Sequence, residues 1–257
     1  VGAGWAGCAA AVGFAERGYA VSLFEAAPML GGRARTLETH TGPDTLDNGQ
    51  HIMIGAYADT LRLMRQVGID KDAAFLRMPF TLKYVDGTGL AFPSWPAPLN
   101  AVAGIACAQG WSWGERLKLL RWAAYWQFKK FECAPNATLA DICGDLPPKA
   151  QAQFITPLCL SALNTPVRAA SAQVFLRVLR DAMFRFPKGS DFLLPRLDFS
   201  ALFPQAAARY LQARGGRVVC NQRVQSITHS STGWLVDGQP FDRVVLATTA
   251  TEAARLA

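Results

Sequence analysis

Apolar and polar residues follow two different periods along this chain, and the period changes at identifiable places. Residues 6–17 are Ala-rich and apolar and stop at Gly18, which predicts a short buried helix with a glycine stop. Residues 20–24, Ala-Val-Ser-Leu-Phe, then read as a buried strand. Tyr57, Leu61, Leu63, Met64 and Val67 keep helical spacing as far as Gly68. Helix, strand and helix in this order suggest a parallel sheet. Past Met78 the period becomes two: Phe80, Leu82 and Tyr84 alternate, Asp86-Gly87 turns the chain, and residues 90–92 resume, a β-hairpin. Pro93, Pro96 and Pro98 break it. Trp113, Leu117, Leu120, Ala124, Phe128 and Phe131 lie at three- and four-residue spacings on one face of a long helix, with Arg116, Lys118, Arg121, Lys129 and Lys130 around it. Further helices are predicted over 147–163, 170–184 and 196–214, the last capped by Gly215-Gly216. The tail is β again: strands at 217–220 and 224–227, a hairpin around Asp237-Gly238, and a buried strand at 243–247.

Composition narrows the class. Half of the 257 residues are apolar and 18% are charged, which excludes wholesale disorder. No apolar run reaches the ~18 residues of a membrane span; residues 98–110 come nearest and hold Asn100, Gly104 and Gln109. No secretory signal is visible. Lys and Arg number 26 against 19 Asp and Glu, a net charge of +7, which suits phosphates or an anionic membrane face. Nucleic acid is not the expected partner, because the basic residues sit on an apolar helical stretch without a recognition motif. Six scattered cysteines with no CxxC, and only His40, His51 and His229, argue against a metal site and for free thiols in a reducing, cytoplasmic setting. The chain opens without Met and stops in what reads as the start of a new segment, so a piece of a longer protein is expected.

The chemistry begins at the first residues. Gly2-Ala3-Gly4-Trp5-Ala6-Gly7 is G-x-G-x-x-G opening the Ala-rich helix, and the following strand ends at Glu25, 18 residues after Gly7. Such glycines allow a tight turn, close approach of a pyrophosphate and close helix–strand packing, while the helix N-terminus offers free N–H groups to phosphate. A carboxylate at Glu25 would accept ribose hydroxyls. The pattern is that of a dinucleotide site.

Leu30-Gly31-Gly32-Arg33-Ala34-Arg35 follows. Glu25, Gly31, Gly32 and Arg33 at this spacing resemble the second phosphate clamp of the FAD-dependent amine oxidase and phytoene desaturase superfamily. Asp47-Asn48-Gly49-Gln50-His51 lies where that superfamily places a loop against the isoalloxazine ring. Gly215-Gly216 with Val224 and Ile227 is similar to its adenine-pairing segment, and residues 244–248, ending at Thr248, to its strand returning to the flavin phosphates. Residues 157–166 and 170–175, Asn48 to His51, and Leu194 to Asp198 resemble one branch, the squalene-associated desaturases, which are hydroxysqualene dehydroxylases of hopanoid synthesis.

The resemblance implies an α/β fold: a Rossmann-like FAD-binding domain with a parallel sheet (1–78 and 196–257) and an inserted mixed, mostly helical substrate domain (79–195). It implies FAD held by Gly2, Gly4, Gly7, Glu25, Gly32, Arg33, Gly49, Gln50, Val224 and Thr248. It implies a long-chain isoprenoid substrate: hydroxysqualene would lose its hydroxyl as water and take a hydride from the flavin, giving squalene. That requires an acid, for which Asp47, His51 and Asp191 are the residues at hand. A phytoene-type desaturase, a flavin amine oxidase and a nucleotide-binding module without turnover are the alternatives. Residues 111–131, from Trp111 to Phe131, combine an apolar stripe with a basic rim and suit peripheral contact with the inner face of the cytoplasmic membrane.

Overall fold

The glycine-rich opening runs directly into a helix, Trp5–Glu16, whose many alanines cost little side-chain entropy on winding. In the computed structural model, which describes residues 1–38, 45–49 and 51–257, the chain forms two units. The first holds Val1–Ile52, Ala58–Leu76 and Leu194–Ala257; the second holds Met53–Tyr57 and Arg77–Leu193.

In the first unit the strand Ser22–Phe24 pairs in parallel with Arg217–Val219, Leu23 opposite Val218. The helix Pro204–Gln212 packs against Trp5–Glu16. The predicted helix over 196–214 is two helices, Phe199–Leu202 and Pro204–Gln212. Pro204 lacks an N–H and disfavours helical backbone at Phe203, whose φ is −148°. Asp198 caps the first of them, accepting the Ala201 N–H at 2.8 Å. The expected strand at 224–227 starts only at Ile227, because the N–H groups of Gln225 and Ser226 go to the Asp237 carboxylate at 2.9 and 2.8 Å. The strands Ile227–Ser230, Gly233–Val236 and Gln239–Phe241 form an antiparallel sheet, turned at Asp237-Gly238 with φ positive at both. Residues 243–247 run beside Val1: the Val1 nitrogen donates to the Val245 carbonyl and the Ala247 N–H to the Val1 carbonyl. Phe24, Val224, Val236 and Leu256 close a core behind them.

The second unit holds the hairpin Thr81–Lys83/Gly89–Ala91, whose turn is closed by Asp86 accepting the Thr88 N–H and O–H. A helix the periodicity did not single out, Leu99–Ala106, begins right after Pro98, where a missing N–H costs nothing. Trp113–Phe128 starts from a capping box of Ser112 and Glu115. The helical runs at 148–163 and 172–185 each contain a π turn, Gln151–Ile155 and Asp181–Arg185. Their apolar sides join one core in which the Phe80 ring lies 4.8 Å from Phe92 and 6.2 Å from Phe154. Trp111, Trp126, Phe131 and Phe175 are buried in that core.

Candidate functional site: a glycine-lined phosphate groove

A groove of about 790 Å³ opens in the first unit. Its floor is the Gly2–Gly7 turn, its near wall Glu25 and residues 31–35, and its far wall Val224, Thr248 and the Ala250–Leu256 helix. Gly2, Gly4, Glu25, Gly32, Arg33, Val224 and Thr248 all line it.

Close approach decides the glycines. A Cβ on Gly7 would lie 1.8 Å from the Gly2 carbonyl oxygen, so this position seats the helix against the turn. A Cβ on Gly32 would lie 3.2 Å from the Gly4 Cα, whereas one on Gly4 would meet nothing nearer than 3.9 Å. Gly4 and Gly32 therefore face each other across a cleft that is narrow at backbone level. The Gly31 N–H donates to the Ala3 carbonyl at 2.8 Å and Trp5 Nε1 to the Ala34 carbonyl at 2.9 Å, which holds the two loops in register.

The helix above this cleft has no side-chain cap. Its first intrahelical bond is Cys8 N–H to the Gly4 carbonyl, so the N–H groups of Trp5, Ala6 and Gly7 carry no intrahelical partner. Arg33 and Arg35 stand on the same wall, and neither forms an ion pair among the described residues. Arg35 Nε is buried with no acceptor among the described residues. A helix N-terminus plus two guanidinium groups is an anion site.

Glu25 follows the strand Ser22–Phe24 and is held on both oxygens. Oε2 accepts the Ala3 N–H at 2.7 Å and Oε1 the Ala27 N–H at 2.9 Å. The carboxylate therefore organises the turn as well as lining the groove. In a Glu25→Gln protein one oxygen becomes an NH2 facing an N–H, and stability is expected to fall by about 1–3 kcal/mol, measured as the shift of the urea midpoint. Beneath the turn, burial first and the Glu25 and Cys220 charges after it push the Cys8 thiol up to about 12, so it stays a neutral packing group. On the far wall Val224 is buried, its carbonyl accepts Arg255 Nη2 at 2.8 Å, and its N–H meets no acceptor among the described residues.

The loop residues lie apart from the groove lining. Asp47 Oδ1 takes the Thr36 hydroxyl at 3.1 Å and the Phe199 N–H at 3.0 Å, joining three segments of the unit. Gly49 turns the chain at φ +88° with open space around it. His51 is exposed, its ring 5.3 Å from Phe199. Gln50 and His40 lie outside the described residues. Asp191, in the second unit, is paired with Arg77 at 3.1 Å. Arg255, Glu252 and Arg223, which brace the far wall, escaped the sequence reading. They are surface charges, Glu252 and Arg255 on a short helix and Arg223 in the segment before Val224, with no local pattern to single them out.

The model of the flavin containing amine oxidoreductase family matches residues 5–257. The chain belongs to that family. Hydroxysqualene dehydroxylases from Zymomonas mobilis and Rhodopseudomonas palustris are 28% and 26% identical to this flavin oxidoreductase chain, over 90% and 100% of it and 54% and 62% of their own lengths. A 15-cis-phytoene desaturase from Synechococcus elongatus is 25% identical over 86% of this chain and 48% of its own. The chain thus spans about half the length of the curated relatives it matches. Cyclohexylamine oxidase from Brevibacterium oxydans shares the fold with a TM-score of 0.65 at 15% identity, over 99% of this chain and 58% of that one. The fold class is that of the FAD-dependent amine oxidases, with a parallel strand pair among mixed helices and sheet. FAD is the cofactor of this family. The groove fits it: an uncapped helix end, two guanidinium groups without an ion pair among the described residues, and open space over Gly4 suit a pyrophosphate.

Proposed function

We propose that the protein is an FAD-dependent oxidoreductase that reduces hydroxysqualene, an allylic C30 alcohol, to squalene and water. The observation carrying this reading is that three relatives bearing the dehydroxylase name match at 24–28% identity over 90–100% of the chain, on a chain whose groove suits the cofactor. Gly2 and Gly4 with the helix end hold the pyrophosphate, Gly7 seats that helix against the turn, Gly32 and Arg33 clamp the phosphates from the other side, Glu25 binds a ribose, Val224 meets the base, and Thr248 lines the approach. When bound and reduced, FAD supplies the hydride.

The chain's own task at the substrate is proton delivery. His51, exposed with its ring 5.3 Å from Phe199, donates the proton that lets the hydroxyl depart as water. Asp47 ties the segment before it to Thr36 and Phe199. An Asp47→Asn protein keeps an acceptor oxygen for Thr36 and Phe199, whereas Asp47→Ala leaves the Phe199 N–H unpaired and is expected to lose about 1–3 kcal/mol. Equal activity in Asp47→Asn and wild type would assign Asp47 to positioning; loss of turnover in a stable Asp47→Asn protein would make it the acid.

The substrate domain is the inserted part, residues 79–195, and the protein works in the cytoplasm against the inner membrane face through residues 111–131. The test is to reduce the flavin of the full-length protein anaerobically and add hydroxysqualene. Squalene with return of the oxidised spectrum is the expected result. Flavin that stays reduced, with no squalene, contradicts the proposal. The desaturase relative supports a second reading, in which oxidised protein converts phytoene; product analysis on both substrates separates the two.

A further inference from the structure

The long helix Trp113–Phe128 is apolar on two opposite sides, and only one of them is used. Leu119 and Trp126 are buried, and Trp122 Nε1 is tied to the Ile142 carbonyl at 2.8 Å. At ~100° per residue, Trp113, Leu117, Ala124 and Phe128 fall within about 60° of the helix circumference, about 180° from that inner side. They face outward: Trp113 is 75% exposed, Leu117 55% and Phe128 83%. Tyr125, 52% exposed, flanks the stripe. Of the six apolar positions spaced along this stretch, Leu120 and Phe131 pack on the core, and Trp113, Leu117, Ala124 and Phe128 form a stripe that nothing among the described residues covers.

Its rim is cationic. Lys118, Arg121, Lys129 and Lys130 are exposed, and none forms an ion pair among the described residues. Glu115, the carboxylate within the helix, is turned back into the capping box with Ser112. A second copy of this face would set cation against cation. An anionic lipid surface answers both features, with headgroup phosphates for the rim and the acyl boundary for the stripe. Trp and Tyr suit that boundary because each joins an apolar ring to a polar edge. No helix among the described residues is long and apolar enough to cross a membrane, so the contact is one of lying on the surface.

We propose that Trp113, Leu117, Phe128 and their Lys/Arg rim dock the protein on an anionic membrane leaflet. The proposal deepens the isoprenoid reading and rests on it for one point only, that a C30 substrate is drawn from the lipid phase.

The test is co-sedimentation of the full-length flavoprotein with phosphatidylcholine vesicles, with and without phosphatidylglycerol, near physiological salt. Wild type is expected to partition to the anionic vesicles at least about 10-fold better than to the neutral ones. Leu117→Ser/Phe128→Ser and Lys118→Glu/Arg121→Glu should each lose about 10-fold in partition. Both doubles change only exposed side chains, so both should keep the flavin spectrum and wild-type turnover of detergent-dispersed substrate. Failure of wild type to bind anionic vesicles overturns the proposal. So does wild-type partition of both doubles, or a concentration-dependent dimer that the apolar double abolishes while lipid binding is absent. Lipid partition without squalene formation would sink the isoprenoid reading and leave the docking surface standing; squalene formation without partition would do the reverse.

Discussion

Gly7→Ala is expected to cost about 3 kcal/mol or more of folding stability. The added methyl would sit 1.8 Å from the Gly2 carbonyl oxygen and 3.2 Å from the Ala247 Cβ. Neither neighbour can give way cheaply. The Gly2 N–H is fixed to the Phe24 carbonyl at 2.8 Å, and the Ala247 N–H to the Val1 carbonyl. Moving them shifts the helix off the strand that it seats. Alanine's better helix propensity returns about 1 kcal/mol at most, so the clash wins. Urea unfolding measures it: the midpoint should fall with little change in slope. A midpoint within error of wild type would show that the helix does not seat as closely as the structure has it.

Gly4→Val should do the opposite: leave the fold and remove the ligand. Gly4 has φ −67° and ψ 177°, extended backbone open to any residue. A Cβ there would meet no protein atom nearer than 3.9 Å, on the side that faces Gly32. Unfolding of the apo-protein should therefore change by no more than about 0.5 kcal/mol, as for substitutions away from core features. The volume it fills is the one assigned to the pyrophosphate. Closing it denies the phosphates the free N–H groups of Trp5, Ala6 and Gly7, and a loss of about 3 kcal/mol in binding corresponds to ~100-fold in affinity. The two glycines, three residues apart, thus separate packing from binding.

The near side of this groove was legible in the sequence because its parts are local. Turn, helix, strand and Glu25 follow one another within the first 25 residues, and Gly31 to Arg33 come soon after. The far wall was legible only by its order in the chain; that Arg255 would hold the Val224 carbonyl depends on a fold that brings the Ala250–Leu256 helix back. Asp47 shows the same limit. A carboxylate in a loop reads as a proton donor, yet its partners Thr36 and Phe199 lie 11 and 152 positions away. Periodicity found the stripe from Trp113 to Phe128 but not its direction, because Leu119, Trp122 and Trp126 form a second stripe on the same helix and packing chose between them. At 203–204 a proline broke a helix that the apolar spacing continued through.

The central claim is that the groove from the Gly2–Gly7 turn to Val224 holds FAD. Titrating FAD into flavin-free full-length protein, wild type beside Gly4→Val, tests it most directly. The account predicts one tight flavin per chain in wild type and a weakening of ~100-fold or more in a folded Gly4→Val protein. Equal affinity in the two proteins, with Gly4→Val folded, would place the flavin elsewhere and contradict the account.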